Sequence, residues 1–159
     1  MSHTERKLFD YRKGTTTLAF IFKEGAMVAV DSRASMGTYS SSRSVEKIIQ
    51  LNERMVASLA GTAADCQYWL AWLSMQMRLF ELKNGRKPTV ATASKICVNL
   101  ISYYRQYDMQ MGLTLVGYDE KGPSIYYIDT DGSRIKTNLT SCGSGSPHAF
   151  GIIDSFYKY

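Results

Sequence analysis

The chain has 159 residues, of which 45% are apolar and 21% are charged, and this balance is that of an ordinary globular domain. No apolar run approaches the length of about 18 residues that a membrane-spanning helix needs, and residues 1–14 are charged throughout, which argues against a secretory signal. The net charge of +5 includes no block of Lys or Arg, so neither a nucleic acid nor a membrane partner is expected.

Two hairpins are predicted in the first third of the chain. Residues 16–22 alternate in the manner of a strand, and residues 26–30 form a second, largely buried strand after a Lys-Glu-Gly turn. Residues 46–51 and 55–60 repeat the pattern around a polar turn.

A long helix is predicted over residues 63–83. Its apolar stripe recurs at helical spacing and consists of Tyr68, Trp72, Met75, Leu79 and Leu82. Trp69, Leu73 and Phe80 widen the stripe, so the helix is expected to be covered over much of its circumference. The Asn-Gly pair at 84–85 ends it.

A second helix is predicted after Thr89, which is suited to be its N-cap. One face of this helix carries the apolar residues Val90, Ala93, Ile96, Cys97, Leu100, Ile101 and Tyr104. Strands follow at 113–118, 124–129 and 133–138, and a short helix begins after Pro147. This order of elements predicts an α+β fold in which two helices cover a sheet.

The cysteines and histidines do not indicate a familiar site. Cys66, Cys97 and Cys142 match no zinc or disulfide spacing, so buried or half-buried thiols are expected. A peptidase of the Ser-His-Asp or Cys-His type would need His148 as its base, yet this residue follows a proline in a predicted loop and has nothing nearby to orient it.

Three consecutive threonines, Thr15 to Thr17, open the first predicted strand. Taken alone, they indicate only a polar strand end, because β-branched residues are common in strands. Other short polar or glycine-containing stretches stand at the ends of the later strands, and they are Asp31-Ser32-Arg33, Lys47, Ala60-Gly61 and Gly143-Ser144-Gly145-Ser146.

With these residues the chain resembles the catalytic proteasome beta subunits of the N-terminal nucleophile hydrolase superfamily, most closely the chymotrypsin-like (beta type-5-like) type. Each motif is weak by itself, but their order and spacing are those of the family. The matching stretches are GTTTLAF (14–20), VAVDSRAS (28–35), VEKII (45–49), LAGTAADC (59–66), YYIDTDG (126–132) and GSGS (143–146).

The resemblance implies a threonine peptidase whose nucleophile is Thr15, exposed when a propeptide, residues 1–14, is cut off after Gly14. The freed α-amino group, with a pKa of about 7.7–8.0, can then act as the base, so no histidine is needed. Gly14 has no side chain to hinder attack by Thr15 on the preceding carbonyl. Lys47 is implied as the cation beside Thr15, and Asp31 as its carboxylate partner; taken alone, these two residues indicate no more than a surface ion pair.

Three further positions are implied to support the site. Gly61 corresponds to the backbone N–H donor to the oxyanion, although by itself it is only a turn glycine. Arg33 and Ser144 match family positions that support the nucleophile.

Family substrates bind as an added strand, here along Ser35 and the segment 61–63. The positions that correspond to the pocket for the substrate side chain are Ala34, Val45, Ile49, Leu59 and Ala63. No charged residue is among them, so cleavage after large hydrophobic residues is expected.

The resemblance also implies a four-layer αββα sandwich over residues 15–159. Family chains continue beyond the position of Tyr159 with an Arg-Asp-x-x-Ser-Gly-Gly stretch and further helices and strands, so the sandwich is expected to be incomplete at its C-terminal end. No metal or organic cofactor is implied. The implied partners are other alpha and beta subunits in stacked seven-membered rings, and the implied substrates are unfolded polypeptides in ubiquitin-dependent degradation in the cytoplasm and nucleus.

Two functions remain open from the sequence. In one, the chain is a threonine endopeptidase subunit, which the presence of Thr15, Asp31, Lys47 and Gly61 favours. In the other, it is a catalytically inactive structural or assembly subunit, which the absence of the Arg-Asp-x-x-Ser-Gly-Gly stretch favours.

Overall fold

The computed structural model describes the chain in five stretches, residues 15–36, 39–61, 63–104, 106 and 111–158. Side chains of residues 34–41 and 63–66 lie outside this description, and with them those of the predicted pocket positions Ala34, Ser35 and Ala63.

Ten strands and three helices are described. In chain order they are β1 (Thr17–Phe22), β2 (Gly25–Val30), β3 (Ala34–Met36), β4 (Tyr39–Ser42), β5 (Ile48–Asn52), β6 (Met55–Gly61), α1 (Ala63–Asn84), α2 (Val90–Tyr103), β7 (Met111–Asp119), β8 (Gly122–Ile128), β9 (Arg134–Thr137), β10 (Leu139–Cys142) and α3 (Ser146–Phe156).

The first sheet has three antiparallel strands in the order β10-β1-β2. Thr17 at the start of the central strand pairs with Cys142 of β10 on one side and with Val30 of β2 on the other. The buried face of β1 consists of Thr17, Ala19 and Ile21. These side chains are small or medium in size, which allows this sheet to pack closely on its neighbour.

The second sheet has five antiparallel strands, β5 to β9, in chain order. One face packs on the first sheet, where Val116 and Ile125 meet Ala19 and Ile21. Helices α1 and α2 cover the other face and enclose the main hydrophobic core. Because it is covered on both faces, β7 is buried continuously over its first seven residues.

A fourth layer is contributed by α3, which contacts β1 and β10. Just after α3, the ring of Tyr157 packs on Phe20, which lies on the face of β1 opposite to Ala19 and Ile21, with ring centroids 6.0 Å apart. The Tyr157 hydroxyl donates a hydrogen bond of 2.7 Å to the carbonyl of Ile21. The layers therefore run α, β, β, α, as the predicted α+β sandwich requires.

Most of the apolar stripe predicted for α1 was wrong, although the bounds of the helix were nearly right and the predicted Trp69, Trp72 and Leu73 do meet the core. Leu70, Leu73 and Met77 face the sheet and are at most 2% exposed. Four members of the predicted stripe are instead at least 42% exposed, and these are Tyr68, Met75, Leu79 and Leu82. Apolar residues surround this helix, so helical periodicity alone did not distinguish its two sides.

Smaller differences concern the strands and the last helix. The short hairpin of β3 and β4 and the four-residue strand β10 were not predicted as separate elements. The second strand is only half buried, and its Met27 is 51% exposed. His148 lies inside α3 rather than in a loop.

Helix α2 forms as predicted. The hydroxyl of Thr89 accepts a hydrogen bond of 3.1 Å from the N–H of Thr92, which confirms the predicted N-cap. The carboxylate of Asp119 accepts a second bond, of 3.0 Å, from the N–H of Val90. None of the described helices is long and apolar enough to cross a membrane.

The two faces of α1 predict different responses to truncation. Replacing the fully buried Leu73 in Leu73→Ala leaves a cavity in the main core and is expected to lower the free energy of unfolding by about 2–5 kcal/mol. The matched variant Leu82→Ala alters a side chain that is 66% exposed and should change stability by less than about 0.5 kcal/mol. Urea unfolding of both variants measures this, and equal losses would contradict the assignment of the two faces.

Candidate active site

Thr15 and Thr16 lie just before β1, against the turn that joins β10 to α3. The N–H of Gly145 donates a hydrogen bond of 3.3 Å to the carbonyl of Thr15. A Cβ atom added to Gly143 would overlap the carbonyl of Thr15, and one added to Gly145 would overlap the hydroxyl of Thr16. Gly143 also has a φ of +93°, which side chains rarely adopt. Glycine at these two positions therefore allows the turn to approach the threonines closely.

A buried lysine lies on the other side of the threonines. Lys47 Nζ donates a hydrogen bond of 2.8 Å to Asp31 Oδ1 and another of 2.7 Å to the carbonyl of Arg33. The N–H of Thr16 donates to the same Asp31 oxygen, also at 2.8 Å. The Lys47 side chain is 7% exposed, so it depends on these acceptors to offset the loss of water.

Strand ends bring these groups together. Asp31 directly follows β2, and its N–H donates to the carbonyl of Thr16 at 3.0 Å, which extends the β1–β2 ladder by one pair. Lys47 directly precedes β5, and its carbonyl accepts a hydrogen bond of 3.0 Å from Leu59 of β6. The carboxylate and the ammonium group are thus held by two different sheets, one at the end of β2 and the other at the start of β5.

Asp31 carries a perturbed carboxyl group. Partial burial by itself would raise its pKa, but the hydrogen bond and charge of Lys47 and the backbone N–H groups of Thr16 and Arg33 outweigh burial and lower the pKa below its ordinary value. Asp31 is therefore an anion throughout the physiological pH range and remains the partner of Lys47.

A cleft of about 230 Å³ opens beside Thr15. Gly61 at the end of β6 and Ser144 in the glycine turn line it together with Thr15. The other described residues of the cleft come from neighbouring strand ends, and they are Ala60, Gly112, Tyr127, Asp129, Thr130, Cys142 and Gly143. Of the predicted nucleophile Thr15 and the charged pair Lys47 and Asp31, only Thr15 is among the described residues that line the cleft.

Several cleft residues were not predicted from the sequence as members of the site. Tyr127 and Asp129 stand in the YYIDTDG stretch, which had served only as a family motif. Burial first, and then the proximity of Cys142 and Asp129, raise the pKa of the Tyr127 hydroxyl. Burial also raises the pKa of the Cys142 thiol. Because neighbouring strand ends create this cleft, no spacing within the sequence could have identified it.

The predicted residues fall into two connected groups. Thr15, Gly61 and Ser144 share the cleft, while Asp31 and Lys47 reach it through the backbone of Thr16. Arg33 takes part through its main chain, because its N–H donates to Asp31 Oδ2 at 3.1 Å and its carbonyl accepts from Lys47, whereas its side chain is exposed. Gly14 lies outside the described residues.

The predicted pocket positions that the structure describes lie away from the cleft. Leu59 is 4% exposed and belongs to the main core, and Ile49 packs against that core. Val45 is half-buried, and its N–H donates to the carbonyl of Ser32 at 3.0 Å. None of these three is among the described residues that line the cleft.

The other candidate chemistries receive no support from the described residues. His148 is exposed in α3 and is not part of the cleft. Within the described part of the chain, no cluster of three or more His, Cys, Asp or Glu side chains is arranged to hold a metal ion. Cys97 is buried, and burial raises the pKa of its thiol to about 12, so it serves packing rather than chemistry.

Comparison of the sequence with known proteins identifies the family of the chain. A family model described as "Proteasome subunit" matches residues 11–159. The chain is 54% identical over 147 residues to "Proteasome subunit beta type-5-B" of Arabidopsis thaliana, an alignment that covers 92% of this chain and 54% of the relative.

Other relatives agree. "Proteasome subunit beta type-5" of Spinacia oleracea is 53% identical over 147 residues, with 92% of this chain and 54% of the relative covered. "Proteasome subunit beta type-8" of Homo sapiens is 46% identical over 145 residues, with 91% and 52% covered. The chain spans about half the length of the curated relatives it matches. From the match over nearly its whole length and from its αββα layers, the chain belongs to the proteasome subunit family and is similar to its beta type-5 members.

Proposed function

We propose that this chain is a threonine-type endopeptidase subunit of the proteasome core, with Thr15 as the nucleophile once the bond after Gly14 is cut. One observation carries the proposal. Thr15 lines an open cleft with Gly61 and Ser144, while the Lys47–Asp31 ion pair binds the N–H of the next residue, Thr16.

The first step is activation of the hydroxyl. A threonine hydroxyl is a weak nucleophile unless a base removes its proton. Cleavage after Gly14 would release the α-amino group of Thr15, whose ordinary pKa of about 7.7–8.0 lets it accept that proton near neutral pH. This intraresidue pair would let the site function without a histidine, and His148, the one described histidine, does not line the cleft.

Lys47 supplies the electrostatics of the site. Its ammonium group and the backbone nitrogen of Thr16 both lie 2.8 Å from the same Asp31 oxygen, so they are at most twice that distance apart. A buried cation this close to the backbone of the residue after Thr15 favours the alkoxide and disfavours protonation of the α-amine. Asp31 keeps the ammonium group in place.

The substrate would complete the arrangement as an extended strand along Ser35 and the segment 61–63, with the N–H of Gly61 donating to the oxyanion. The acyl-side residue would enter the apolar pocket predicted at Ala34, Val45, Ile49, Leu59 and Ala63, and the absence of a charged residue among these positions fits cleavage after large hydrophobic residues.

Relatives named as beta type-5 subunits support assembly with other proteasome subunits. We extend the proposal to stacked seven-membered rings of alpha and beta subunits that degrade unfolded polypeptides in a ubiquitin-dependent pathway of the cytoplasm and nucleus.

The nucleophile is tested with three variants of the full-length subunit in its assembled particle. Thr15→Ala is expected to retain residues 1–14 and to lower hydrolysis of a fluorogenic peptide with a large apolar residue before the cut by roughly 10⁴-fold or more. Thr15→Ser keeps a hydroxyl and an α-amine and should retain part of the activity. Thr16→Val, which removes the neighbouring hydroxyl at similar volume, should be processed.

Intact mass of the subunit reports processing, and initial rates report hydrolysis. Equal activity of Thr15→Ala and the wild type would refute the assignment. An unprocessed and inactive wild-type subunit in the assembled particle would instead favour the structural or assembly role.

Gly143 is expected to control the position of Thr15. In Gly143→Ala the new methyl group would overlap the carbonyl of Thr15, and an alanine would be strained at the φ of +93° that residue 143 adopts. The nucleophile should therefore move, and kcat should fall by about 100-fold. Gly151→Ala is the matched control, because a Cβ at this position in α3 meets nothing within 4 Å. Comparable kcat values for the two variants would contradict the close approach of the turn.

The lowered pKa of Asp31 predicts a pH-dependent stability. Since the folded pKa lies below the ordinary value of 3.8, the ionised carboxylate stabilises the fold above pH 3.8, and this contribution is lost as the pH falls through the folded pKa. The difference in unfolding free energy between the wild type and Asp31→Asn should therefore be largest near neutral pH and shrink below pH 3.8.

Urea unfolding of the purified chain between about pH 3 and pH 7 measures this difference. Asp154→Asn, at an exposed position in α3, is the control and should change stability by less than about 0.5 kcal/mol. A difference for Asp31→Asn that does not vary with pH would contradict the prediction.

A further inference from the structure

The cleft and the predicted apolar pocket are separate, since none of the described pocket positions lines the cleft. Ile49 and Leu59, which are predicted for the apolar pocket, pack in the core between the second sheet and the helices and are not among the described residues of the cleft. The cleft instead runs from Thr15 and Gly61 towards the end of β8. A peptide whose acyl side enters the apolar pocket would direct its leaving side into this cleft.

The far wall of the cleft carries a carboxylate. Asp129 follows the last residue of β8, and among the described residues that line the cleft it is the one with a formally charged side chain. Its neighbours on this wall, Tyr127 and Thr130, are polar but uncharged.

Asp129 is held in a fixed position. Its N–H donates to the carbonyl of Ser133 at 3.0 Å, and its carbonyl accepts from Gly132 at 3.0 Å, so its main chain closes the turn between β8 and β9. Its side-chain Oδ1 accepts from the N–H of Thr130 at 2.7 Å and from the Thr130 hydroxyl at 3.3 Å. A carboxylate restrained in this way loses little conformational entropy when it binds a ligand.

No cation of the described chain neutralises this carboxylate. The ion pairs among the described residues join Lys47 to Asp31, Arg78 to Glu81 and Lys87 to Glu53, and Asp129 takes part in none of them. The side chain is only partly exposed, so its field is screened less than that of a carboxylate in bulk water.

We propose that Asp129 is a specificity-determining residue for the leaving side of the substrate, where it favours a Lys or Arg side chain just after the scissile bond and disfavours Asp or Glu. This inference rests on the proposed peptidase function. The recognised chemistry is a single positive charge on an extended peptide, and Asp129 takes no part in bond breaking.

The expected size of the preference follows from the partial exposure of the site. A partly exposed ion pair changes binding by roughly threefold, so kcat/KM for a Lys peptide should exceed that for a Glu peptide by about tenfold when attraction and repulsion are combined. Salt screens such pairs, so the ratio of kcat/KM for the Lys peptide to kcat/KM for the Glu peptide should fall as the salt concentration rises from about 0.05 M to about 0.5 M.

The test measures kcat/KM of the full-length subunit in its assembled particle. The substrates are three internally quenched peptides that differ only in the residue after the cut, which is Lys, Gln or Glu. The wild type should cleave them in the order Lys, Gln, Glu. In Asp129→Asn the three kcat/KM values should converge, since the amide oxygen can still accept from Thr130 but the side chain carries no charge. Asp131→Asn, the same change two residues along the same turn but outside the cleft, should keep the wild-type order.

The outcomes separate the inference from the function on which it rests. Equal cleavage of the three peptides by the wild type would overturn this inference but not the proposed function. An equal loss of kcat/KM for all three peptides in Asp129→Asn would also overturn it, because such a loss indicates a structural role for Asp129. Cleavage of the three peptides that persists in Thr15→Ala would contradict the proposed function and with it this inference.

Discussion

A single carboxylate oxygen organises the site. Asp31 Oδ1 accepts hydrogen bonds of 2.8 Å from both Lys47 Nζ and the N–H of Thr16. Burying a lysine is costly unless its charge is paired and its protons are bonded, so this oxygen makes it possible for Lys47 to lie inside the sandwich. The same oxygen fixes the backbone one residue after Thr15. The backbone next to the nucleophile and the charge beside it therefore share one acceptor atom.

A second constraint acts from the opposite side and is purely steric. The turn after β10 reaches the carbonyl of Thr15 only because Gly143 and Gly145 have no side chains. Pairing of Thr17 with Cys142 sets the register that delivers this turn to the threonines. An ion pair on one side and a glycine turn on the other thus confine Thr15 while leaving one side of it open to the cleft.

The sequence predicted the parts of the fold that have strong local signals. Helix α2 was predicted with its Thr89 cap because one face is apolar and the cap chemistry is specific. The buried side of α1 was not predicted correctly, because apolar residues surround that helix. Only packing on the sheet determines which of these residues are covered. Strand β10 is four residues long and is stabilised by pairing with β1, 125 positions away between Thr17 and Cys142, so no local pattern indicates it.

The candidate site followed from family resemblance rather than from physical pattern, since Thr15, Asp31 and Lys47 are unremarkable as isolated residues. The role of Asp129 required the structure, because strands distant in sequence form the cleft wall. The most direct test of Thr15 as the nucleophile is an experimental structure of the assembled particle with a peptide boronate, which mimics the tetrahedral intermediate. We expect a covalent bond from Thr15 Oγ to boron, a free α-amine at Thr15 and a boronate oxygen bound by the N–H of Gly61. A boronate attached to another residue, or a chain still continuous through Gly14, would contradict it.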